Sequence, residues 1–244
     1  MANAYIGTSG WNYKHWWNGE FYPKELKPTQ WLSYFIQEFD TVEINNSFYR
    51  LPSEETFDGW HGQAPCNFVF AVKASRFLTH IKRLKDPADP LNLFFSHAKH
   101  LRGTLGPILF QLPPKFKCDL DRLTLFLATL RRHPVGRKCR AVLEVRDRSW
   151  LTSSTYEVLA RYNMCLCFAD WHDMPVENPV TADFIYVRRH YGKAGDGNYG
   201  EDELKHDVRK IRKWLKDNLD VYMYFNNDWK GYAVENARFV QQRI

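Results

Sequence analysis

The residues of this sequence with the clearest chemical potential are charged side chains at the ends of strand-like segments. In the stretch Ala141–Trp150, AVLEVRDRSW, alternation places Val142, Glu144 and Arg146 on one face of a strand and aliphatic residues on the other. A helical segment follows at once. A carboxylate and a guanidinium at the tip of a buried strand that leads into a helix are typical of active sites in α/β proteins. The alternative interpretation is a surface ion pair at a strand end.

The same arrangement recurs wherever apolar and polar residues alternate along the chain. In a closed sheet the apolar side chains face the surrounding helices, so the polar side chains of the same strand face the interior. This rule places hydrogen-bonding or charged residues at the C-terminal ends of the strands, which together form one mouth of a barrel. The inward-facing residues are Glu43, Asn45, Lys73, Gln111, Glu144, Arg146, Arg188 and Asn226, with His190 just beyond.

The sixth strand-like segment is apolar throughout, so its two faces are harder to assign. If Cys165 and Cys167 face outward, Asp170 beyond the end of this strand faces the interior. The intervening Leu166 and Phe168 would then face inward as well.

The elements that must position these side chains are short strands alternating with amphipathic helices. The strand-like segments are Ala4–Thr8, Thr41–Asn45, Asn67–Lys73, Pro107–Leu112, Arg140–Arg146, Met164–Phe168, Asp183–Arg188 and Asp220–Phe225. The helical segments are Gln30–Phe39, Leu91–Leu101, Leu120–Arg132, Thr155–Tyr162, Glu203–Leu219 and Tyr232–Arg243. The connection Pro52–Trp60 is short, and the one around Pro175 to Pro179 offers at best a stunted turn. This alternation predicts a parallel sheet covered by helices.

The fold class predicted from this order is α/β, a single (β/α)8 TIM-type barrel with some connecting helices short or missing. The length of 244 residues suits one such barrel, which typically needs ~250 residues, so residues 1–244 are expected to form one domain. The alternative is an open doubly wound sheet. Against it, no G-x-G-x-x-G phosphate loop follows the first strand.

The composition of the chain indicates which binding partners and which cellular compartment to expect. The formal net charge of +6 favours anionic partners weakly. The five cysteines show neither a disulfide framework nor zinc-ligand spacing, which favours a reducing cytoplasm. The first residues, MANAYIGTSG, leave no room for the apolar core of a signal peptide, and no apolar run is long enough to span a membrane.

Metal binding is disfavoured by the placement of the histidines. Only His190, with His172, falls where the mouth of the barrel is expected, and the other histidines are scattered over helices and loops. No H-E-x-x-H spacing occurs, and Lys73 and Arg188 would repel a divalent cation. We therefore expect neither a metal nor an organic cofactor.

Seven separated phrases of the sequence carry a family resemblance. They are IGTSGW, EINNSFYRLPS, FVFAVKAS, PILFQLPP, EVRDRSW, YVRRHY and YFNNDWKGYAVENA. In this order they resemble the YecE-like barrel family, domain of unknown function family 72, from Ile6 nearly to the C-terminus. The resemblance implies a TIM-barrel fold and no established reaction.

We assign two sets of candidate site residues at the barrel mouth. The candidate catalytic residues are Glu43, Glu144, Asp170 and His190. The candidate ligand-binding residues are Lys73, Gln111, Arg146, Arg188, Asn226, Asn227, Tyr49, Trp11 and Trp150, the aromatic ones because they follow strand tips, where they could stack on a base or sugar. On adjacent strands Glu43 and Lys73 could pair directly. Among several cations Glu144 should stay ionised as a general base.

Three functions fit these residues. The leading hypothesis is a metal-independent hydrolase or lyase that acts on a phosphate-bearing ligand derived from a nucleotide or nucleic acid. The second is a glycosidase that uses Glu43 and Glu144, although these carboxyls lie three strands apart in the expected barrel. The third is a non-catalytic nucleic-acid-binding barrel. A purely structural salt-bridge network at the top of the barrel is the alternative for the charged set.

Overall fold

The centre of the molecule is a nine-stranded parallel sheet. The computed structural model describes residues 1–17, 19–172, 174–193 and 195–244. The strands are β1 (Ala4–Ser9), β2 (Thr41–Ile44), β3 (Val69–Lys73), β4 (Leu105–Gln111), β5 (Ala141–Glu144), β6 (Met164–Leu166), β7 (Phe168–Ala169), β8 (Phe184–Arg189) and β9 (Asp220–Phe225). In the sheet they follow the order β6-β5-β4-β3-β2-β1-β9-β8-β7.

The two ends of this sheet meet, because β6 and β7 are separated in the chain by Cys167 alone. The backbone N–H of Cys167 donates to the carbonyl of Leu143, which continues the pairing with β5 at 2.9 Å. The sheet is therefore a nearly closed barrel in which one strand position is shared by β6 and β7. The α/β barrel predicted from the sequence is confirmed.

Helices surround the barrel in the connections between strands. They are α1 (Trp31–Phe35), α2 (Asn46–Tyr49), α3 (Glu54–Gln63), α4 (Ala88–Ala98), α5 (Leu120–Arg132), α6 (Ser153–Arg161), α7 (Glu201–Lys216) and α8 (Tyr232–Gln241). Side-chain caps begin several of them: the Asp119 carboxylate accepts from the first turn of α5, and the Thr152 hydroxyl from that of α6. Between β7 and β8 the described residues form no helix, in agreement with the stunted connection expected there.

Alternation divides the strand side chains between two buried clusters. One cluster fills the space between barrel and helices and includes Val42, Phe70 and Leu143. The other lies inside the barrel and includes Val142 and Tyr224. The strand phases assigned from the sequence are therefore correct for β2, β3, β5 and β9.

The phase assigned to the sixth strand position is wrong. Cys165 and Cys167 belong to the interior cluster, and both are buried. Phe168 packs outward, with its ring 5.2 Å from that of Trp214 on α7, and Leu166 lies in the same outer cluster. An apolar strand gives no polarity signal, and the small thiols suit the narrow interior whereas the bulky residues fill the interface with the helices.

The backbones of β1 and β2 approach each other closely at Gly7. A Cβ atom on Gly7 would lie 2.2 Å from the carbonyl oxygen of Thr41, so only glycine fits at this position. Nothing among the described helices has the length and hydrophobicity that crossing a bilayer requires.

Candidate functional site

A cavity of about 930 Å³ opens at the C-terminal ends of the strands. We call it the mouth cavity. Its lining includes Lys73, Gln111, Arg146, Arg188, His190 and Asn226, together with Tyr49, Trp11 and Trp171. Glu43 and Glu144 lie beneath it and are fully buried. The side chains that alternation directs into the barrel from β2, β3, β4, β5 and β8 thus converge on one place.

Arg188 at the end of β8 forms the floor of the cavity with Glu43 of β2. Its Nε donates to one carboxylate oxygen of Glu43 at 3.0 Å and its Nη2 to the other at 2.9 Å. The hydroxyl of Ser9 donates to Oε1, the oxygen that also accepts from Nη2, and that of Tyr186 donates to Oε2, which also accepts from Nε, at 2.6 Å. Both oxygens of this buried carboxylate are therefore occupied by donors from the protein.

Arg188 also reaches across the barrel to Glu144 of β5. Its Nη1 donates to Oε2 of Glu144 at 2.7 Å, while Arg146 donates to Oε1 through Nε at 2.8 Å. Burial opposes ionisation of Glu144, but Arg188 and Arg146 outweigh it and hold the pKa of this carboxyl well below its usual range. Glu144 is therefore ionised, as expected, but it serves two guanidinium groups and does not face the open cavity.

Lys73 at the end of β3 is held differently from the arginines. Its backbone carbonyl accepts from the hydroxyl of Ser47 at 2.6 Å, and its Nζ lies 4.2 Å from the centre of the Phe48 ring. Within the described part of the chain it makes no ion pair, so the expected pairing with Glu43 is wrong: Arg188 takes that carboxylate. Burial, and secondarily Arg188, lower the pKa of Lys73 to about 8.

Two neutral histidines face the mouth cavity. The Nδ1 of His190 lies 3.1 Å from the side-chain amide of Asn226, and burial together with Arg188 lowers its pKa well below the usual value. His80 lies on a single π-helical turn, Phe77–Ile81, with its ring edge-on to that of Phe48. Burial, with Lys73 nearby, lowers the pKa of His80 to about 4.

The aromatic residues at the mouth fall into an exposed and a packed group. Tyr49 is 74% exposed and Tyr191 54%, so both offer ring faces to a bound molecule. The guanidinium of Arg146 stacks 3.5 Å above the centre of the Trp171 ring. Trp11 lines the cavity but is largely buried against Trp60.

Besides Glu43 and Glu144, which lie beneath the mouth cavity, three further candidate residues lie outside it. Trp150 is buried and donates from Nε1 to the carbonyl of Phe116 at 2.7 Å. Asn227 donates to the carbonyl of Gly197 at 3.0 Å and to Asn236 on α8. Asp170 accepts from the backbone N–H of His190 at 2.6 Å.

Asp170 is displaced because the sixth strand position has the opposite phase to the one assigned from the sequence. It also accepts from the hydroxyl of Tyr199, and burial raises its pKa to about 6. Its role is to fasten the segment that leads from β8 to α7. Trp150 and Asn227 follow strand ends in sequence, but their loops turn them back into the core.

His80 and Tyr13 line the mouth cavity but were not predicted from the sequence, and Arg76 also lines it without being among the assigned site residues. His80 and Arg76 follow β3 at irregular spacing, where neither helical nor strand periodicity predicts the direction of a side chain. A polar residue within a few positions of a strand end was the only available signal.

The charges at the mouth cavity do not cancel. The cations Lys73, Arg146 and Arg188 outnumber the carboxylates beneath them, and Arg76 adds a further cation to the lining. In the described residues no group of three or more His, Cys, Asp or Glu side chains is arranged to hold a metal ion. An excess of positive charge around a partly apolar cavity suits an anionic ligand.

A family model, a relative in sequence and solved structures all indicate one family and one fold for this chain. The sequence model of the family "Protein of unknown function DUF72" matches residues 5–244. The UPF0759 protein YunF of Bacillus subtilis is 24% identical over 271 residues, which cover 96% of this chain and 92% of YunF. The crystal structure of a DUF72 family protein from Thermotoga maritima superposes with a TM-score of 0.84 at 30% identity and 98% coverage of both chains. D-psicose 3-epimerase from Clostridium cellulolyticum, at 12% identity, a TM-score of 0.55 and coverage of 98% of this chain and 90% of its own, shares the fold alone.

Proposed function

The chain belongs to the protein family DUF72, and from the chemistry of its mouth cavity we propose that it is a metal-independent enzyme of hydrolase or lyase type. The proposed ligand bears a phosphate and derives from a nucleotide or nucleic acid. The observation that carries the proposal is Lys73, a cation that faces the cavity without a carboxylate partner among the described residues. A phosphate would supply that partner.

The size and lining of the cavity support this ligand class. A volume of about 930 Å³ is at the upper end of the range for small-molecule sites, so a nucleotide-sized ligand fits. The phosphate would lie against Lys73 and Arg76. The exposed ring of Tyr49 would stack on a base or sugar at the rim.

The catalytic roles assigned from the sequence must be redistributed in this proposal. Glu43 and Glu144 hold Arg188 and Arg146 in place and do not touch the ligand, because their oxygens already accept from the protein. The groups left for proton transfer at the cavity are the neutral imidazoles of His190 and His80. A neutral imidazole can accept a proton from a ligand and return it later.

The same geometry argues against the glycosidase alternative. A glycosidase needs one carboxyl that donates a proton and a second that attacks the sugar or activates water. The pKa of Glu144 is held far too low for an acid at neutral pH, chiefly because Arg188 and Arg146 outweigh the effect of burial. Glu43 is enclosed by Arg188, Ser9 and Tyr186.

The proposal is tested by isothermal titration calorimetry with inorganic phosphate and with adenosine monophosphate at low salt. We expect the Lys73→Met protein to bind either ligand at least ~10-fold more weakly than wild type, because a hydrogen bond to a charged group is lost. The matched control is Lys82→Met, which removes a lysine that lies outside the cavity and pairs with Asp86. Absence of phosphate and nucleotide binding by the wild-type protein would contradict the proposal.

Turnover separates the enzyme from the non-catalytic nucleic-acid-binding barrel. Incubation with nucleotides and short oligonucleotides, followed by mass spectrometry, should show a changed ligand if the protein is an enzyme. A ligand that binds but is recovered unchanged from every incubation would support the binding barrel instead.

A further inference from the structure

Lys73 has chemical possibilities that phosphate binding alone does not require. The guanidinium groups of Arg188 and Arg146 are committed to carboxylates, whereas the Lys73 amine ends in the open cavity. A guanidinium remains protonated under all ordinary conditions, but an amine can lose its proton and become a nucleophile.

The position of Lys73 is fixed while its amine stays free. On one side its carbonyl accepts from Ser47 at 2.6 Å, and on the other the N–H of Ala74 donates to Leu109 of β4 at 2.9 Å. The Nζ rests above the Phe48 ring at 4.2 Å from its centre. The backbone is thus anchored to helix α2 on one side and to β4 on the other, and an aromatic face supports the end of the side chain.

Polar groups around the amine are available to a substrate. The side-chain oxygen of Asn45 is buried and has no hydrogen-bond partner in the described residues, although Asn45 lines the cavity. The side chain of Gln111, on the neighbouring strand β4, lines the cavity and also makes no hydrogen bond to a described residue. Uncommitted polar atoms at the wall of a cavity indicate a ligand that carries hydroxyl groups.

We propose that Lys73 is a nucleophile that forms an imine with the carbonyl carbon of a phosphorylated sugar. The inference rests on the proposed function, because Arg76 and the neighbouring cations would hold the phosphate. It narrows the substrate to phosphorylated carbonyl compounds and the reaction to a lyase that eliminates a phosphate ester.

The chemistry balances with water and protons alone. The lone pair of the neutral amine attacks the carbonyl carbon, the C=O π pair moves to oxygen, and protonation of that oxygen gives a carbinolamine. Loss of this hydroxyl as water leaves a protonated imine. A base then removes the proton from the adjacent carbon, the C–H pair forms an enamine, and the C–O bond at the next carbon breaks to release phosphate. Water hydrolyses the remaining imine and regenerates the amine.

The surroundings of Lys73 favour both the formation of the imine and the elimination that follows it. Burial and the nearby Arg188 lower the pKa of Lys73 to about 8, so roughly a tenth of the amine is neutral at pH 7. The ring of His80 contacts that of Phe48 edge-on, with the ring centres 4.8 Å apart. Its pKa of about 4, lowered by burial, leaves the imidazole neutral and able to accept the proton. The cations would stabilise the released phosphate.

Reductive trapping tests the imine directly. Wild-type protein is incubated with sodium cyanoborohydride and either glyceraldehyde 3-phosphate or a single-stranded oligonucleotide with an abasic site, and the adduct is located by peptide mapping. We expect a covalent adduct at Lys73 with at least one of these, formed at least 10-fold faster than with unphosphorylated glyceraldehyde. The arm that reacts faster distinguishes a free sugar phosphate from one within a nucleic acid.

Two variants complete the test. Lys73→Arg keeps the positive charge but cannot form an imine, so it should bind inorganic phosphate in calorimetry and yield no adduct. Lys82→Met should be trapped like wild type. Phosphate binding by wild type without an adduct at Lys73 would overturn the imine and leave the proposed function standing. If wild type binds no phosphate and gives no adduct, both proposals fail.

Discussion

Arg188 is the residue on which the geometry of the barrel mouth depends. It is 1% exposed and joins Glu43 to Glu144 across the barrel. From the sequence this arginine was expected to bind a ligand. Its burial between two carboxylates gives it a structural role, because Arg188→Ala would leave the buried Glu43 without a cation and Glu144 with Arg146 alone, which would destabilise the barrel mouth.

Glu144→Gln tests whether this carboxylate is structural. We expect the free energy of unfolding at pH 7 to fall by about 3 kcal/mol or more, because two buried guanidinium groups lose their shared charge partner. For a chain of this length that lowers Tm by about 6–12 °C. Calorimetric melting of wild type and variant measures the change, and Glu177→Gln, a surface carboxylate paired with Lys210, is the control.

The same variant has a defined dependence on pH. The pKa of Glu144 is lowered in the folded protein, where Arg188 and Arg146 outweigh the effect of burial, so its stabilising contribution is present above about pH 4.3 and declines as the pH falls below that value. The difference in Tm between wild type and Glu144→Gln should therefore shrink below pH 4. A stability unaffected at pH 7, with ligand turnover abolished, would instead make Glu144 a catalytic base.

Lys73 gives the residue-scale prediction for ligand binding. Because its pKa is lowered to about 8, chiefly by burial, the ammonium form that attracts phosphate predominates below pH 8 and is lost as the pH rises through that value. Phosphate affinity measured by calorimetry should fall between pH 7 and pH 9. In Lys73→Arg the charge persists, and the affinity should change with pH only as the ionisation of phosphate dictates. A wild-type affinity that tracks the variant across this range would contradict the assignment.

At the scale of elements, sequence reasoning succeeded where polarity alternates along a strand. Glu43 and Glu144 could be directed into the barrel because apolar neighbours on both sides fixed the opposite face. It failed on the apolar β6–β7 segment, whose phase is set by side-chain size and not by polarity, and Asp170 was misplaced with it. It also failed on loops such as the one that carries His80, where an irregular π turn sets the direction of the side chain.

The close approach of β1 to β2 at Gly7 predicts how a substitution there changes stability. Gly7→Ala would put a Cβ 2.2 Å from the Thr41 carbonyl oxygen, a backbone atom that cannot move without separating the strands. We expect a loss of about 1–3 kcal/mol in the free energy of unfolding, measured in urea. Gly59→Ala is the matched control, since no atom lies within 4 Å of its added Cβ in α3 and alanine favours helices by up to about 1 kcal/mol. Equal stability of the two variants would rule out the close approach.

At the scale of the whole molecule, the barrel contains several buried groups whose pKa values differ from those in an unfolded chain. His190 and His80 are kept neutral, mainly by burial, with lowered pKa values. Asp170 has its pKa raised to about 6, again mainly by burial, so it holds a proton at a pH where an unfolded chain would not. As the pH falls, the two histidines lower the free energy of unfolding, whereas Asp170 raises it.

The sign of the net effect follows from which state takes up more protons. As the pH falls from about 6.5 to 4, an unfolded chain protonates both histidines while the folded protein leaves His80 and His190 neutral, so stability declines. The folded protein gains one proton at Asp170 over nearly the same window, which offsets about one histidine. Wild type should thus lose up to about 1.4 kcal/mol per pH unit between pH 6 and pH 4.5, as measured by urea unfolding.

Single substitutions separate these contributions to acid stability. Asp170→Asn removes the offsetting group, so the decline with falling pH should steepen to as much as twice the wild-type slope. His80→Gln removes one destabilising protonation and should flatten the curve. Each slope is proportional to the difference in the number of bound protons between the unfolded and folded states. It therefore measures the ionisation of the folded barrel without any knowledge of the substrate. Parallel curves for wild type, Asp170→Asn and His80→Gln would show that these groups ionise in the folded barrel as they do in water.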